Sequence, residues 1–170
     1  MSQKIAVVGA GFIGRSWAMV FSKAGHHVSL YDIDPATLSE AMNLLEINIA
    51  DLESNGLISS KDDLLGRIQP YKTLEGAVEE ADWVQENALE DVQIKRELFS
   101  RMDELLPETT ILASSTSAIP CSDISNGMKG AGRIIVAHPA NPPYLLPIVE
   151  LSGAPETKDE TIFRAKELLE

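Results

Sequence analysis

Three glycines near the start of the chain have the spacing of a phosphate-binding loop. Gly9, Gly11 and Gly14 directly follow a short apolar segment and open a helical one. In a GxGxxG loop of this kind the first glycine permits a tight turn, the second lets the backbone approach a pyrophosphate, and the third lets helix and strand pack closely. The helix N-terminus at Phe12 and Ile13 then offers amide donors and a positive dipole end. The pattern predicts a dinucleotide site.

An aspartate at the tip of the second strand-like segment favours NAD over NADP as the dinucleotide. Asp32 lies 18 residues after Gly14 and is followed by Ile33. A carboxylate at this position accepts hydrogen bonds from the adenosine ribose hydroxyls and would repel a 2′-phosphate. The structural alternative is a glycine turn with Asp32 as an ordinary strand-end residue.

A histidine and a glutamate in the second half of the chain could do acid–base chemistry. His138 ends an apolar strand, and Glu150 lies 12 residues later inside another apolar run. A carboxylate in that setting needs a buried partner, which His138 could be. Such a pair could remove the proton of a secondary alcohol while a hydride leaves to nicotinamide. The two residues alone also allow a purely structural role, and we expect His26 and His27 to be surface or structural residues.

Strand-like and helix-like segments alternate along the chain and must position these residues. The alternation predicts an α/β fold of the Rossmann type, doubly wound, with a mainly parallel sheet. Parallel strands place the site at their carboxyl ends. The predicted strands are Lys4–Val8, Val28–Asp32, Trp83–Glu86, Thr110–Ser114 and Arg133–His138.

Two further helices are expected. One starts at Pro35, after an Asp34 cap, and stops near Gly56, so that at about 30 Å it projects beyond the sheet. Its apolar stripe is predicted to pack in the core; this stripe comprises Leu38, Met42, Leu45, Ile49 and Leu52. The other helix covers Thr157–Glu170, with Thr157 as its cap. Because no stop signal follows it, we expect residues 1–170 to be the first domain of a longer protein.

The composition excludes several classes of function. The 170 residues include 14 Lys and Arg against 26 Asp and Glu, a formal charge of −12. Such a surface repels nucleic acids and anionic membranes, so we expect neither as a partner. The chain has a single cysteine, Cys121, and no apolar stretch long enough to span a membrane, so we expect a cytoplasmic protein. No cysteine or histidine spacing predicts a metal site.

Five segments together resemble the 3-hydroxyacyl-CoA dehydrogenase superfamily, and within it the branch of lambda-crystallin and L-gulonate 3-dehydrogenase. The resemblance covers essentially the whole chain. It rests on GAGFIGRSWAM at 9–19, LYDID at 30–34, QENALEDVQIKRELF at 85–99, SSTSAIP at 114–120 and HPANPPYLLPIVEL at 138–151. It implies an NAD-dependent oxidoreductase acting on a CH–OH group.

The resemblance also implies roles for individual residues. His138 corresponds to the catalytic base and Glu150 to the acid that pairs with it. Ser117 corresponds to a serine that contacts the substrate oxygen near the nicotinamide, and Asn141 to an asparagine at the nicotinamide end. Glu90 and Lys95 correspond to a pair at the nicotinamide-side ribose. Without the resemblance, their spacing would be interpreted as a solvated charge pair.

The family further implies a helical second domain that closes the substrate cleft, contributes a catalytic asparagine and forms a homodimer. We therefore expect residues 1–170 to bind NAD but to turn over poorly alone.

Departures from the family pattern concern the substrate. No Lys or Arg occurs from Ala36 through Ser60, where CoA-binding members tend to carry lysines. The loop has the sequence HPAN from His138 instead of HFFN, and Pro147 replaces a common lysine. These differences favour a small free 3-hydroxy acid, similar to L-gulonate or carnitine, over a CoA thioester. The alternatives are an L-3-hydroxyacyl-CoA dehydrogenase of fatty acid β-oxidation and a non-catalytic, crystallin-like NAD-binding protein.

Overall fold

Seven strands form one sheet whose faces are both covered by helices. The computed structural model describes residues 2–170. In the first strand, Ile5 and Val7 join one apolar core, whereas Ala6 and Val8 join a second core on the opposite face. Successive side chains of a strand point to opposite faces, so a strand with both faces covered is a continuous apolar run. The strands are β1 Lys4–Val8, β2 His27–Tyr31, β3 Ile68–Tyr71, β4 Trp83–Glu86, β5 Ile111–Ser114, β6 Ile134–Pro139 and β7 Val149–Gly153.

The strand order in the sheet is β3-β2-β1-β4-β5-β6-β7. All neighbouring pairs are parallel except β6 and β7, which are antiparallel. The order reverses between β1 and β4, and ligands of doubly wound sheets bind at the carboxyl ends beside such a reversal. The predicted doubly wound, mainly parallel fold is confirmed. The helices are α1 Phe12–Lys23, α2 Pro35–Ser54, α3 Lys61–Leu65, α4 Leu74–Val78, α5 Val92–Leu105, α6 Cys121–Ser125 and α7 Asp159–Leu169.

The long helix α2 forms as its sequence predicts. Asp34 caps it by accepting hydrogen bonds from the amides of Ala36, at 3.0 Å, and Thr37, at 3.3 Å. Four of the five stripe residues are buried, from Leu38 to Leu52, and Met42 packs against the same core. The apolar stripe therefore serves packing, while the acidic side chains of the helix are exposed.

Three details differ from the sequence-based expectations. β3 and β7 were not predicted as strands, and they are the two edges of the sheet. The last helix begins at Asp159, with Lys158 and not Thr157 at its cap position. The Thr157 hydroxyl instead donates to the Ile134 carbonyl at 2.9 Å and accepts from the Ala154 amide at 2.8 Å. These two hydrogen bonds tie the connection before α7 to β6, so the Thr157 hydroxyl does not cap α7.

Within the described part of the chain, no helix combines the length and apolar composition that a membrane crossing requires. The same residues contain no group of three His, Cys, Asp or Glu side chains placed to hold a metal ion.

Candidate active site

The glycine loop between β1 and α1 requires glycine at two positions for different reasons. Gly9 has a φ of +94°, and a Cβ there would lie 2.6 Å from the carbonyl oxygen of Asn87. A Cβ on Gly14 would lie 1.8 Å from the carbonyl oxygen of Gly9. Gly9 thus permits the turn and Gly14 the close packing of helix on strand, as the sequence predicts.

Gly11 differs because nothing in the protein occupies the space beside it. A Cβ at Gly11 would meet no atom within 4 Å. Gly11 is also the N-cap of α1, and no side chain caps the helix there. The amides of the first turn therefore remain available to a ligand, and the open space lets a pyrophosphate approach them. This cradle fits the diphosphate of a dinucleotide.

Asp32, directly after β2, also shapes the loop. Its Oδ2 accepts a hydrogen bond from the Ala10 amide at 2.7 Å, and its Oδ1 accepts one from the Asp34 amide at 2.9 Å. Each carboxylate oxygen has capacity for a second hydrogen bond, so ribose hydroxyls can still be accepted. The sequence motif indicates a ligand contact but not this second task of holding the loop in shape.

His138 and Glu150 face each other across the antiparallel pair of β6 and β7. They are direct partners in the strand register, and Nδ1 of His138 lies 3.1 Å from Oε2 of Glu150. With Nδ1 protonated and donating to the carboxylate, Nε2 is left as a proton acceptor. The predicted pairing of the two side chains is therefore present in the structure.

The expectation that Glu150 is buried is wrong. Its side chain is 80% exposed and that of His138 is 33% exposed. The reason is that β7 is an edge strand with a neighbour on one side only. The flanking Val149 and Leu151 pack partly buried against the core, so Glu150, on the opposite face of this edge strand, is left open to solvent.

Glu90, in the loop between β4 and α5, binds the segment that follows β5. Its Oε1 accepts hydrogen bonds from the Thr116 hydroxyl at 2.5 Å, the Ser117 amide at 3.0 Å and the Ala118 amide at 3.3 Å. Partial burial raises the pKa of Glu90, but these donors and the charge of Lys95 outweigh it and hold the pKa below its ordinary value. The ionised carboxylate thereby fixes the exposed Ser117.

Lys95, in the first turn of α5, is buried, so the interpretation as a solvated pair is wrong for it. Its Nζ lies 2.8 Å and 3.0 Å from the two carboxylate oxygens of Glu86 and 3.5 Å from Oε2 of Glu90. Glu86, at the end of β4, is fully buried and also accepts from the Ser114 hydroxyl at 2.5 Å and the Ala88 amide at 2.6 Å. Sequence reasoning missed Glu86, although a charged residue ending an apolar strand was a signal.

A second, partly buried network joins three neighbouring strands to α1. The Ser115 hydroxyl accepts from Trp17 Nε1 at 2.9 Å and from Gln85 Nε2 at 2.7 Å, and donates to Asn87 Oδ1 at 2.7 Å. Gln85 also donates to the carbonyl of Ala137, the residue before His138, at 3.2 Å. The network was not predicted, because its members come from distant parts of the chain.

Asn141, the remaining predicted site residue, is exposed in the proline-rich loop after β6 and precedes a cis bond to Pro142. The carboxyl ends of β1, β4, β5 and β6 lie on the same side of the sheet. They carry a dinucleotide cradle and a histidine with a free ring nitrogen.

Comparisons with known proteins agree with this arrangement. The family model "3-hydroxyacyl-CoA dehydrogenase, NAD binding domain" matches residues 4–170. A lambda-crystallin homolog from Bos taurus is 39% identical over 97% of the chain, which spans 52% of that protein. An L-carnitine dehydrogenase from Streptomyces griseus is 38% identical over 91% of the chain and 46% of that protein. The chain therefore spans about half the length of the curated relatives it matches.

Among solved structures, a 3-hydroxybutyryl-CoA dehydrogenase from Escherichia coli superposes with a TM-score of 0.95 at 29% identity, covering 99% of this chain and 36% of that one. The family match extends over nearly all of the described residues and includes both the glycine loop and the His138 strand. The chain belongs to the 3-hydroxyacyl-CoA dehydrogenase family and is an NAD-binding domain of that family.

Proposed function

We propose that this chain forms the cofactor half of an enzyme that oxidises the 3-hydroxyl of a small 3-hydroxy acid, similar to L-gulonate, to the 3-keto acid. The observation that carries the proposal is the His138–Glu150 pair, with 3.1 Å between Nδ1 and Oε2. The pair lies at the carboxyl ends of the strands, as the glycine loop does. NAD, when bound, supplies the hydride acceptor. His138 accepts the hydroxyl proton at Nε2, so that the products are the ketone, NADH and one proton.

The other site residues position the reacting groups in this proposal. Glu150 stabilises the imidazolium that forms and keeps Nδ1 protonated. Ser117 binds the substrate oxygen, and Asn141 contributes to the nicotinamide end of the site. Glu90 binds the nicotinamide-side ribose, and the buried Lys95 acts through Glu90 by holding its carboxylate, with Nζ 3.5 Å from Oε2.

The charge of α2 supports a free acid over a CoA thioester. Its carboxylates are exposed and no cation lies between residues 36 and 60 to offset them; they are those of Glu40, Glu46, Asp51 and Glu53. Phosphates of CoA passing along this helix would meet repulsion, even after screening by salt. The similarity to L-carnitine dehydrogenases keeps a carnitine-like acid as a candidate.

A CoA thioester is the second candidate, because the 3-hydroxybutyryl-CoA dehydrogenase from Escherichia coli shares the fold at a TM-score of 0.95. A non-catalytic, crystallin-like role is the third. Following what the family resemblance implies, we propose that a further, helical domain closes the cleft and forms a homodimer; the relatives are about twice as long as this chain.

The test is a comparison of substrates in a protein that carries this chain together with its second domain. NADH formation is followed with L-gulonate, L-carnitine and a 3-hydroxyacyl-CoA side by side. We expect kcat/KM to be highest for one of the free acids. Faster turnover of the CoA ester would contradict the substrate assignment, and NADH binding without any turnover would favour the structural role.

A variant separates the effect of the helix charge from that of the pocket. Replacing Glu46 and Asp51 by lysine reverses two exposed charges of α2. If these charges repel CoA, the double variant lowers KM for the CoA ester and leaves KM for the free acids unchanged. Equal KM values for the CoA ester in parent and variant would remove the charge argument.

A further inference from the structure

Arg15 is a cation beside the glycine loop that has no acidic partner. It follows the third loop glycine directly, in the first turns of α1. Its Nη1 lies 3.4 Å from the carbonyl oxygen of Ala10, and its Nε is buried without a hydrogen-bond partner. None of the ion pairs formed within residues 2–170 includes Arg15.

The two fully buried cations of the described residues each have a carboxylate partner, whereas the buried Nε of the partly buried Arg15 has none. Lys95 is paired with Glu86 at 2.8 Å, and Arg133 with Asp103 at 2.7 Å. The chain has 26 acidic residues against 14 basic ones, so carboxylates are plentiful. The buried Nε–H of Arg15 has no acceptor in the protein, which is costly unless an anion completes it. The arrangement points to an anion that binds from outside the chain.

The direction of the side chain identifies where that anion lies. Side chains on a helix lean toward its N-terminus, which carries the guanidinium of Arg15 back to the loop. The contact with the carbonyl of Ala10 places it there. Ala10 precedes Gly11, where the open space and the uncapped first turn form the phosphate cradle. Arginine is well suited to such a place, because its planar fork binds phosphate oxygens in a bidentate manner.

We propose that Arg15 is a phosphate-binding residue of this chain, donating to the diphosphate of the dinucleotide cradled at Gly11. A 2′-phosphate on the ribose is the other source of the same chemistry, and the Asp32 carboxylate, bonded to the Ala10 amide at 2.7 Å, opposes it. The inference rests on the cofactor site of the proposed function and is independent of the substrate.

The experiment measures ligand binding to the chain by calorimetry, with adenosine, ADP, NADH and NADPH as separate probes. Arg15→Gln removes the charge and keeps a polar side chain of similar length. Arg67→Gln is the matched control, because Arg67 also lacks an ion-pair partner among the described residues and donates to a backbone carbonyl, that of Ser22 at 3.3 Å, but lies directly before β3. Both variants change the net charge by the same amount.

We expect Arg15→Gln to weaken ADP and NADH at least about tenfold and to leave adenosine within about twofold of the parent. Arg67→Gln should bind all probes as the parent does. Arg15→Lys should retain part of the affinity, because it keeps the charge but loses the fork. The affinity of the Arg15→Gln variant should also depend less on salt than that of the parent.

Three outcomes would overturn the proposal. ADP and NADH binding unchanged in Arg15→Gln would show that the guanidinium does not contact the diphosphate. An equal loss for adenosine would show a structural role in the loop, and thermal unfolding of the ligand-free variants checks this directly. A selective loss of NADPH would assign Arg15 to a 2′-phosphate. Absence of turnover with normal NADH binding would concern the proposed reaction and not Arg15.

Discussion

Nδ1 of His138 lies 3.1 Å from Oε2 of Glu150 because the two residues are direct partners in the antiparallel pair of β6 and β7. Directly opposed residues of such a pair have Cβ atoms about 5 Å apart, within reach of each other's side chains. The distance is therefore fixed by the backbone ladder of two strands and does not depend on a flexible loop. In the proposed reaction, the remaining ring nitrogen, Nε2, accepts the hydroxyl proton.

Alanine at two loop glycines should separate folding from cofactor binding. Gly14→Ala would force its Cβ to 1.8 Å from the Gly9 oxygen, so we expect a loss of about 1–3 kcal/mol in the free energy of unfolding. Gly11→Ala meets no protein atom within 4 Å, and its stability should stay within about 0.5 kcal/mol of the parent. The added methyl group nevertheless occupies the diphosphate approach, and NADH affinity should fall at least about tenfold.

Urea denaturation and NADH titration of both glycine variants check this pair of predictions. A stable Gly11→Ala variant with parental NADH affinity would mean that the cofactor does not approach the backbone at Gly11.

Removing one partner of the buried Glu86–Lys95 pair should lower the free energy of unfolding more than replacing both partners by apolar residues. Glu86→Leu leaves the Lys95 ammonium, 1% exposed, without its main partner, and we expect a loss of about 3–5 kcal/mol in the free energy of unfolding. Glu90 lies farther from Nζ, at 3.5 Å, and is 43% exposed, so it compensates little. The double variant with Lys95→Met should recover part of that loss, because the Ser114 hydroxyl and the Ala88 amide still lack their Glu86 acceptor.

Chemical denaturation of the two single variants and the double variant forms a thermodynamic cycle. Additive losses in the cycle would show that the two side chains are not coupled, in disagreement with the 2.8 Å contact.

His26 should make stability depend on pH. Burial lowers the pKa of His26 below its ordinary value of 6.5, and Nδ1 accepts the Gln3 amide at 3.0 Å. As the pH falls below 6.5, the unfolded chain takes up the proton before the folded one, so the free energy of unfolding decreases. The contribution is fully present above that pH. His26→Asn should flatten the decrease between about pH 7 and about pH 5.

The neighbouring His27 is exposed and is the control for this titration. His27→Asn should retain the pH dependence of the parent. If instead His27→Asn flattened the curve and His26→Asn did not, the assignment to the buried histidine would be wrong.

Local patterns in the sequence predicted much of the fold. The glycine loop, the cap at Asp34 and the stripe of α2 each follow from the spacing of residues within one short segment, and the structure has them in place. β3 escaped prediction because it contains Pro70 and polar residues, which only an edge strand tolerates. Edge position is a property of the whole sheet and cannot be found in a short segment.

The same distinction holds for the site. The burial of Lys95 depends on Glu86, which β4 brings beneath α5, and no spacing within α5 reveals it. The exposure of Glu150 depends on β7 having one neighbour. In both cases the sequence identifies the charged residue, but the burial or exposure of its side chain depends on strands distant along the chain.

The most direct test of the proposed reaction is the turnover of His138→Gln, measured as NADH formation in the protein that carries the second domain, with NADH affinity measured alongside. We predict that kcat falls about 100-fold or more, because the proton acceptor is lost. NADH affinity should stay within about twofold of the parent. Turnover within a few-fold of the parent, at unchanged NADH affinity, would contradict the proposed reaction.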